Sequence, residues 1–275
     1  MPSPAIALNS YTAVVVTGGS SGIGRAFIER VVKLNPKVCF GNLSRREPEI
    51  KMGELKLRHF PCDLAEQGEL PRHIAEVLRW LKQEVPPGKV LLVNNSGFGG
   101  YGRIDEIAID HQLGMIDVNV RAVVALTAGL LPILRERGGC VMTIASTAAF
   151  QPTPYLATYG ATKAFVLHWS LALNEDLRGS GVTALAVCPG PTSTEFFKRA
   201  GLKQGSVPDS VGQTTDQVVN EALAAFAAGR TQIVTGWKNK LMVLGASLLP
   251  KPIIARLAAS ILARYRLNMT DKADA

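Results

Sequence analysis

The chain has 275 residues, of which 47% are hydrophobic, 19% are charged and 26 are glycine. This composition excludes disordered, collagen-like and coiled-coil proteins and favours one large globular domain, which we expect to span residues 1–275. Thirty lysines and arginines against 22 aspartates and glutamates give a net charge of +8. This charge favours anionic partners: a phosphorylated cofactor, an acidic membrane surface and nucleic acid all remain open.

Cysteine spacing and the length of the apolar stretches indicate in which cellular compartment the protein is located. The four cysteines lie far apart and form no CxxC pair, so neither a metal site nor a disulfide framework is predicted. Residues 1–10 lack a signal-peptide pattern, and the longest apolar stretches, 122–134 and 241–250, are shorter than the ~20 residues of a spanning helix. We therefore expect a cytoplasmic protein that does not cross a membrane, and peripheral membrane contact remains open.

Short β-branched runs alternate with longer helical patterns along the chain. The helices are predicted to run from a glycine-rich turn to residue 33 and over 69–84, 110–135 and 158–178. The strands are predicted at 13–17, 38–43, 57–61, 89–94, 140–145, 183–188 and 231–235. This order predicts an α/β fold: a single doubly wound Rossmann domain with about seven parallel strands and helices on both faces. Such folds bind ligands at the carboxyl ends of their strands.

A glycine-rich turn, TGGSSGIG at residues 17–24, joins the first predicted strand to the first helix. Gly18 suits a tight turn, while Gly22 and Gly24 let the backbone approach a pyrophosphate and let the helix pack on the strand. The amino end of the helix attracts phosphate through its free N–H groups. A glycine-rich surface turn is the alternative. The candidate cofactor residues of this segment are Gly18, Ser20, Ser21, Gly22, Ile23, Gly24 and Arg25.

The GxxxGxG spacing of this turn resembles that of the short-chain dehydrogenase/reductase family, and the resemblance extends over residues 13–194. The segment NNSG at 94–97 is similar to the family's NNAG, with Ser96 in place of alanine. Asp63 matches the aspartate that contacts adenine, and PGPTST at 189–194 resembles the segment of nicotinamide contacts. The resemblance therefore implies a nicotinamide cofactor with further contacts at Asp63, Leu64, Asn95, Ser96, Gly97, Pro189, Gly190, Thr192 and Thr194.

The tip of the second strand carries no acidic residue and reads LSRR at residues 43–46. An acid there would hold the ribose 2′-hydroxyl of NAD and repel a 2′-phosphate, whereas a guanidinium binds phosphate through charge-assisted hydrogen bonds. Ser44, Arg45 and Arg46 therefore predict NADP(H) in preference to NAD(H), with Arg25 as a second cation. The alternative is that both arginines at the tip are solvated surface charges.

Tyr159 and Lys163 lie four residues apart in a predicted helix, so their side chains share one face. A neighbouring ammonium and an oxidised nicotinamide both favour the phenolate and lower the pKa of a tyrosine, which suits proton transfer to and from a substrate. The family resemblance assigns substrate-oxygen binding to Ser146 and support of a water-linked proton path to Asn119. From the residues alone, Asn119 is also explained as a buried polar side chain satisfied by the backbone.

Two segments bear on the substrate. By resemblance, residues 191–215 form the segment that closes over substrate, and their Phe196 and Phe197 suit either an apolar pocket wall or core packing. The sequence FGGYG at 98–102 is a candidate second wall. No cluster of acids or bases specifies a charged substrate, so we expect a hydrophobic or lipid-like one.

Residues 236–275 form a C-terminal extension that is predicted to be helical. Its apolar residues recur at helical spacing among arginines, which predicts a basic amphipathic helix. Such a helix either covers the substrate pocket, packs at a subunit interface, or lies on a membrane surface, where Trp237 would suit the interface. The recurring apolar residues are Ile253, Ile254, Leu257, Ile261 and Leu262.

These patterns together predict an NADP(H)-dependent oxidoreductase that transfers hydride between the nicotinamide and a ketone or secondary alcohol. Its predicted catalytic set is Ser146, Tyr159, Lys163 and Asn119. Tyr159 and Lys163 are also predicted cofactor contacts, with Lys163 holding the ribose. The alternative is a non-catalytic, cofactor-binding regulatory protein on the same fold. A nucleic-acid-binding protein is not favoured, because the basic residues are dispersed and no recognised nucleic-acid motif is present. The family resemblance implies a homodimer or homotetramer.

Overall fold

The computed structural model describes residues 3–53, 55–192 and 212–263. Within them, seven parallel strands form one sheet in the order β3-β2-β1-β4-β5-β6-β7. All seven predicted strands are confirmed, with small shifts at their ends. The strands are β1 (Tyr11–Thr17), β2 (Cys39–Ser44), β3 (Lys56–Pro61), β4 (Lys89–Asn94), β5 (Gly139–Ile144), β6 (Val182–Cys188) and β7 (Gln232–Val234).

Helices cover both faces of this sheet, as the doubly wound fold requires. One face packs against α1, α2 and α7, and the other packs against α3, α5 and α6. The helices are α1 (Pro4–Leu8), α2 (Gly22–Leu34), α3 (Leu70–Gln83), α4 (Ile109–Ile116), α5 (Ala122–Arg137), α6 (Ala157–Asp176), α7 (Thr215–Ala227), α8 (Trp237–Leu248) and α9 (Lys251–Leu262).

The central strands are apolar along their whole length because both of their faces are buried. On β1, Val14 and Val16 point to the α2 side, whereas Ala13 and Val15 point to the α3 side, and all four are fully buried. Alternate residues of a strand point to opposite faces, so a helix on each side removes both sets from water. This burial explains why the strands read as continuous hydrophobic runs.

The helical region predicted over 110–135 is present as a continuous stretch, Ile109–Arg137, whose hydrogen-bond pattern changes in the middle. A π-helical turn, Asp117–Arg121, separates α4 from α5 and carries the buried Asn119. Within the described residues, the continuous stretch Ile109–Arg137 is the one helical region long and apolar enough to cross a bilayer. In this fold, one face of α5 packs against the sheet as part of the core, through side chains such as Leu126, Leu130 and Ile133.

Two helices have no counterpart in the sequence prediction. The helix α1 is only five residues long and lacks a side-chain cap. In contrast, α7 begins with a capping box, in which Thr214 accepts from the Gln217 N–H and the Gln217 side chain accepts from the Thr214 N–H. A threonine followed three residues later by glutamine is a recognised helix-start pattern, so the sequence did contain a signal for α7.

Candidate active site

The glycine turn and the loop after β4 meet where the strand order reverses. The strand β1 lies between β2 and β4, and such a switch point opens a crevice at the carboxyl ends of the strands. The Thr17 hydroxyl accepts hydrogen bonds from the N–H groups of Asn95, at 3.0 Å, and Ser96, at 2.9 Å. The Asn95 side chain donates to the Thr17 carbonyl at 2.9 Å. These bonds hold two of the predicted cofactor segments against each other.

Two glycines in this turn leave no room for a side chain. Gly18 has a φ of +70°, and a Cβ there would lie 2.7 Å from the Ser96 hydroxyl. A Cβ on Gly24 would lie 2.5 Å from both the Gly18 carbonyl oxygen and the Asn95 side chain. The first position therefore needs a left-handed conformation and the second needs close packing between helix and strand.

The amino end of α2 offers N–H groups to an anion. Ser21 occupies the N-cap position, but its side chain makes no capping hydrogen bond, and the first turn contains no acidic residue. Uncapped N–H groups at the positive end of a helix suit a pyrophosphate. Ser20, Gly22 and Ile23 share this turn, so the residues present fit the phosphates of a dinucleotide.

Sequence reasoning missed Asn42, a fully buried residue in β2 that holds the glycine turn. Its Oδ1 accepts from the N–H of Gly19 at 2.8 Å, and its Nδ2 donates to the Ser44 hydroxyl, also at 2.8 Å. The signal for this role was an asparagine inside the otherwise apolar strand CFGNLS. A buried amide in such a place requires partners, and here the partners are the two segments that approach the cofactor crevice.

The arginines predicted to select NADP lie at the exposed tip of β2. Arg45 and Arg46 are both solvent-exposed, and the Arg45 guanidinium lies 3.6 Å from the Asp63 carboxylate. The Ser44 hydroxyl donates to the Arg46 carbonyl at 2.6 Å and shapes this tip. Arg25, expected as a second cation, instead forms an ion pair at 2.8 Å with Glu29 one helical turn later, so its charge is offset within α2.

Asp63 also shapes the loop after β3, because its other carboxylate oxygen accepts from the Ala65 N–H at 3.0 Å. The neighbouring Leu64 is buried. At the far side of the crevice, the Pro189 carbonyl accepts from the Thr147 N–H at 2.8 Å. The Thr192 hydroxyl donates to the Gly190 carbonyl at 3.0 Å.

Some predicted substrate and cofactor residues lie outside the described part of the chain. They are Thr194, Phe196 and Phe197, and they belong to residues 193–211. Their expected roles therefore stay predictions.

The predicted catalytic side chains converge at the carboxyl end of β5. Ser146 directly follows this strand region and caps the short 3₁₀ turn Thr147–Phe150 by accepting from the Ala148 N–H at 3.1 Å. Tyr159 and Lys163 are buried on one face of α6, and the Lys163 ammonium lies 5.9 Å from the centre of the Tyr159 ring. The structure thus places Ser146, which the resemblance assigned, beside Tyr159 and Lys163, which the sequence paired by spacing.

Burial governs the acidity of this cluster. It raises the pKa of Tyr159 to about 12, and the hydrogen bond with Ser146 only partly opposes this rise. The lowered pKa predicted from the sequence depends on an oxidised nicotinamide as well as on Lys163 and stays a prediction; among the protein's own groups, desolvation of the phenolate dominates. Burial also lowers the pKa of Lys163 to about 8, while its Nζ donates to the Ile144 carbonyl at 2.8 Å.

Replacing Lys163 with methionine should raise the free energy of unfolding of the cofactor-free protein at pH 7. The pKa of this lysine falls from 10.5 to about 8 on folding, so its protonated form costs the folded state roughly 3 kcal/mol below pH 8. Removing the lysine abolishes this cost, but loss of the hydrogen bond to the Ile144 carbonyl should offset about 1 kcal/mol of the resulting stabilisation. Urea unfolding would measure the difference. The wild type should recover stability relative to the variant as pH rises from about 8 towards 10.5.

The exposed Lys33 on α2 provides a matched control for that experiment. Lys33→Met makes the same substitution at a position exposed to water instead of a buried one. It should therefore leave the free energy of unfolding within about 0.5 kcal/mol of wild type. A Lys163→Met protein that is less stable than wild type at pH 7 would show that the buried ammonium is not a net cost.

Asn119 links three elements of the site. Its Nδ2 donates to the Phe98 carbonyl and to the Thr162 hydroxyl, each at 3.0 Å, and its Oδ1 accepts from the Phe98 N–H at 3.1 Å. This side chain is therefore satisfied within the protein, as the simpler explanation of a buried asparagine requires. It also fixes the loop after β4 against α6 beside Lys163, which agrees with a supporting role in proton transfer.

A parallel sheet with a glycine cradle at its switch point, next to a buried tyrosine and lysine, defines a nicotinamide-dependent oxidoreductase. Residues 12–205 match the family model of short chain dehydrogenases. The chain belongs to this family, as the motifs implied, and it is an oxidoreductase acting on ketone or alcohol groups.

Comparisons with individual proteins agree with this family. The chain is similar to serine 3-dehydrogenase of Rhizobium radiobacter, with 31% identity over 186 residues that cover 66% of this chain and 73% of that protein. It is 30% identical to very-long-chain 3-oxoacyl-CoA reductase of Anas platyrhynchos over 195 residues, which cover 67% and 61% of the two chains. A short-chain dehydrogenase from Sphingobium yanoikuyae, solved in complex with NADPH, matches with a TM-score of 0.72 and 26% identity over 86% of this chain and 92% of that one.

Proposed function

We propose that this protein is an NADP(H)-dependent, cytoplasmic reductase of ketones with a hydrophobic or lipid-like body. It would also oxidise the matching secondary alcohols, since the transfer is reversible. The observation that carries the proposal is the cluster of Ser146, Tyr159 and Lys163, in which the phenol hydrogen bonds to the serine and the lysine is buried beside it. A protein that only bound the cofactor would have no chemical need for all three groups.

The cofactor would lie across the switch point. Its pyrophosphate fits the uncapped first turn of α2 and the cradle formed by Gly18 and Gly24. The tip of β2 offers Arg45 and Arg46 to a 2′-phosphate and presents no acid to a free 2′-hydroxyl. The Sphingobium relative was solved with NADPH, whereas other structures of the same fold were solved with NADP or with NAD, so the preference rests on the tip of β2.

The chain's own residues would orient the substrate and supply a proton. The bound nicotinamide provides the hydride that adds to the carbonyl carbon. The Ser146 hydroxyl holds the carbonyl oxygen, and Tyr159 donates its phenolic proton to the alkoxide that forms there. The Lys163 ammonium stabilises the resulting phenolate, and Asn119 supports return of the proton through the loop it fixes.

Several features support an apolar substrate. Phe98 and Tyr101 lie in the loop after β4 and provide aromatic surface there. Asn119 hydrogen bonds to the backbone of Phe98, and the Phe98 ring stacks edge-on against His111. The Anas platyrhynchos relative is by its name a reductase of very long chain acyl substrates. The exposed apolar side chains of α8 and α9 add further support.

We also propose a homodimer or homotetramer and a peripheral membrane contact. Leu113 and Ile116 of α4 and Phe165 of α6 are exposed apolar residues on helices that pack against each other. Such a surface suits a subunit interface. Membrane contact would use the C-terminal extension, whose described helices are basic and apolar.

Oxidation of NADPH and NADH in the presence of unbranched methyl ketones of increasing chain length tests the proposed function. We expect turnover with NADPH, and kcat/KM should rise by up to about fourfold for each methylene that the site buries. A substrate preference for small polar ketones would contradict the apolar pocket. If no ketone is turned over while NADPH binds in a separate titration, the protein is better explained as a cofactor-binding regulator.

A further inference from the structure

The two C-terminal helices expose an unusual amount of apolar surface. Nine of the fifteen large hydrophobic side chains that are exposed among the described residues lie between residues 237 and 261. Leu248 is 76% exposed and Trp237 is 67% exposed. Monomeric soluble proteins rarely leave such a concentrated apolar patch in water, so the patch indicates a partner.

The exposed residues form stripes along the helices rather than a scatter. On α8, four of the five large exposed apolar side chains recur at residues 237, 241, 244 and 248, and Met242 is exposed beside them; on α9 three recur at 253, 257 and 261. Both series follow helical spacing. On α8 the buried Asn239 and Ala246 lie on the face opposite this series, whereas on α9 the buried Ile254 and Ala258 lie on the face next to it. The helix pair therefore has an inner face that holds it in place and an outer face that is apolar.

The charge of this segment limits which partners can bind the outer face of the helix pair. Residues 236–263 contain four basic residues, Lys238, Lys240, Lys251 and Arg256, and no aspartate or glutamate. All four are exposed. Lys240 also approaches Glu221 of α7, with 3.7 Å between its ammonium and the carboxylate. An apolar surface on helices that carry basic and no acidic residues is complementary to an anionic lipid surface.

A second copy of the chain is a less suitable occupant. In a symmetric dimer the same patch faces itself, so the four cations of one subunit would approach the four of the other with no acid from either helix pair between them. An anionic membrane instead provides the missing negative charge and accepts leucine and tryptophan side chains at the headgroup boundary.

The helix pair is fastened to both sides of the catalytic cleft. The Lys251 ammonium donates to the Phe150 carbonyl at 2.8 Å, at the end of the 3₁₀ turn that Ser146 caps. The Tyr101 hydroxyl donates to the Leu262 carbonyl. At the start of α8, the Asn239 side chain lies against Gly190 in the proposed nicotinamide segment.

We propose that α8 and α9 form a docking surface for anionic membranes and that docking places the mouth of the catalytic cleft at the lipid boundary. An apolar ketone dissolved in the bilayer would then reach Ser146 and Tyr159 without crossing bulk water. The substrate route rests on the proposed function, whereas the docking surface does not.

Co-sedimentation with lipid vesicles tests the docking surface without any need for turnover. One set of vesicles is phosphatidylcholine alone, and the other contains one third phosphatidylglycerol. The full-length protein should bind the anionic vesicles at least tenfold more tightly than the neutral ones, and added salt should weaken this binding. No binding to anionic vesicles, or equal binding to both kinds, would overturn the proposal.

Matched variants locate the surface. Leu244→Asp should weaken binding to anionic vesicles at least tenfold, because it replaces an apolar side chain that inserts into the lipid with a negative charge that the anionic lipid repels. Ile6→Asp is the control, since Ile6 is an equally exposed apolar residue, 67% against 58%, on α1 outside the helix pair. Lys238→Glu combined with Arg256→Glu should weaken binding roughly thirtyfold, whereas the same change at Lys33 and Lys37 should have little effect.

Two further readouts separate the alternatives. If Leu244→Asp lowers the oligomeric state in sedimentation velocity and leaves vesicle binding unchanged, the patch is a subunit interface and the proposal is wrong. If the docking surface serves the cleft, anionic vesicles should accelerate reduction of a membrane-dissolved long-chain ketone by the wild type but not by Leu244→Asp. Both proteins should reduce a short, water-soluble ketone at the same rate, which shows that the variant's site is intact.

Discussion

Replacing Tyr159 with phenylalanine should lower kcat for ketone reduction by roughly 10²- to 10⁴-fold, the range expected when a general acid is lost. Phenylalanine keeps the ring that fills this buried position, so NADPH binding and the free energy of unfolding should change little. Only the hydroxyl that hydrogen bonds to Ser146 is removed. Stopped-flow measurement of NADPH oxidation, together with a fluorescence titration of NADPH, would separate the chemical step from cofactor binding.

Tyr155→Phe is the matched control, because it removes a phenolic hydroxyl from another tyrosine, four residues before Tyr159. Tyr155 stacks near Tyr101, with ring centres 5.9 Å apart, and no lysine follows it at helical spacing. This variant should retain kcat within about tenfold of wild type. If Tyr159→Phe kept wild-type turnover, Tyr159 would not be the proton donor and the proposed mechanism would fail.

The sheet and the catalytic cluster were predictable because their sequence signals are local. Each strand is buried on both faces and therefore reads as an apolar run, and the turn at Gly18 can be formed by few residues other than glycine. Tyr159 and Lys163 lie on one face of a helix by spacing alone. These features follow from the geometry of single elements.

Features that depend on contacts between elements were not predictable in this way. The role of Asn42 depends on its distance to Gly19, which is 23 residues away along the chain. The π turn at Asn119 interrupts a helix whose hydrophobic periodicity looks continuous. The pKa of Tyr159 could not be predicted from the sequence for the same reason. Spacing reveals the nearby lysine but not the depth of burial that raises this pKa.

The C-terminal extension is a further case. An amphipathic pattern predicts a helix with one apolar face, and the sequence left open whether that face points inwards. The structure forms two helices there, which bury Asn239, Ala246, Ile254 and Ala258 and leave most of the large apolar side chains exposed. Which face is buried depends on the surface that receives the helix, and this surface is made by distant parts of the chain.

Replacing Arg45 with aspartate should reverse the cofactor preference, with the ratio of kcat/KM for NADPH to that for NADH falling about 100-fold or more. The guanidinium would hold a 2′-phosphate through charge-assisted hydrogen bonds, each contributing about 1.5–3 kcal/mol. A carboxylate at the same place repels that phosphate and accepts a hydrogen bond from the free 2′-hydroxyl of NADH. Steady-state kinetics with each cofactor at saturating ketone would measure both effects.

Arg58→Asp on β3 distinguishes local recognition from the general loss of positive charge. Arg58 is also exposed and paired with a carboxylate, that of Glu84, so both variants change the net charge equally and both break one surface ion pair. Arg58→Asp should change the NADPH to NADH ratio by less than about threefold, because Arg58 pairs with Gly41 inside β2 rather than with the tip, and its exposed charge is screened by water and salt. If the two variants weakened NADPH equally, or if Arg45→Asp lowered kcat/KM for both cofactors alike, then Arg45 would not contact the phosphate. The tip of β2 would then be an ordinary solvated surface.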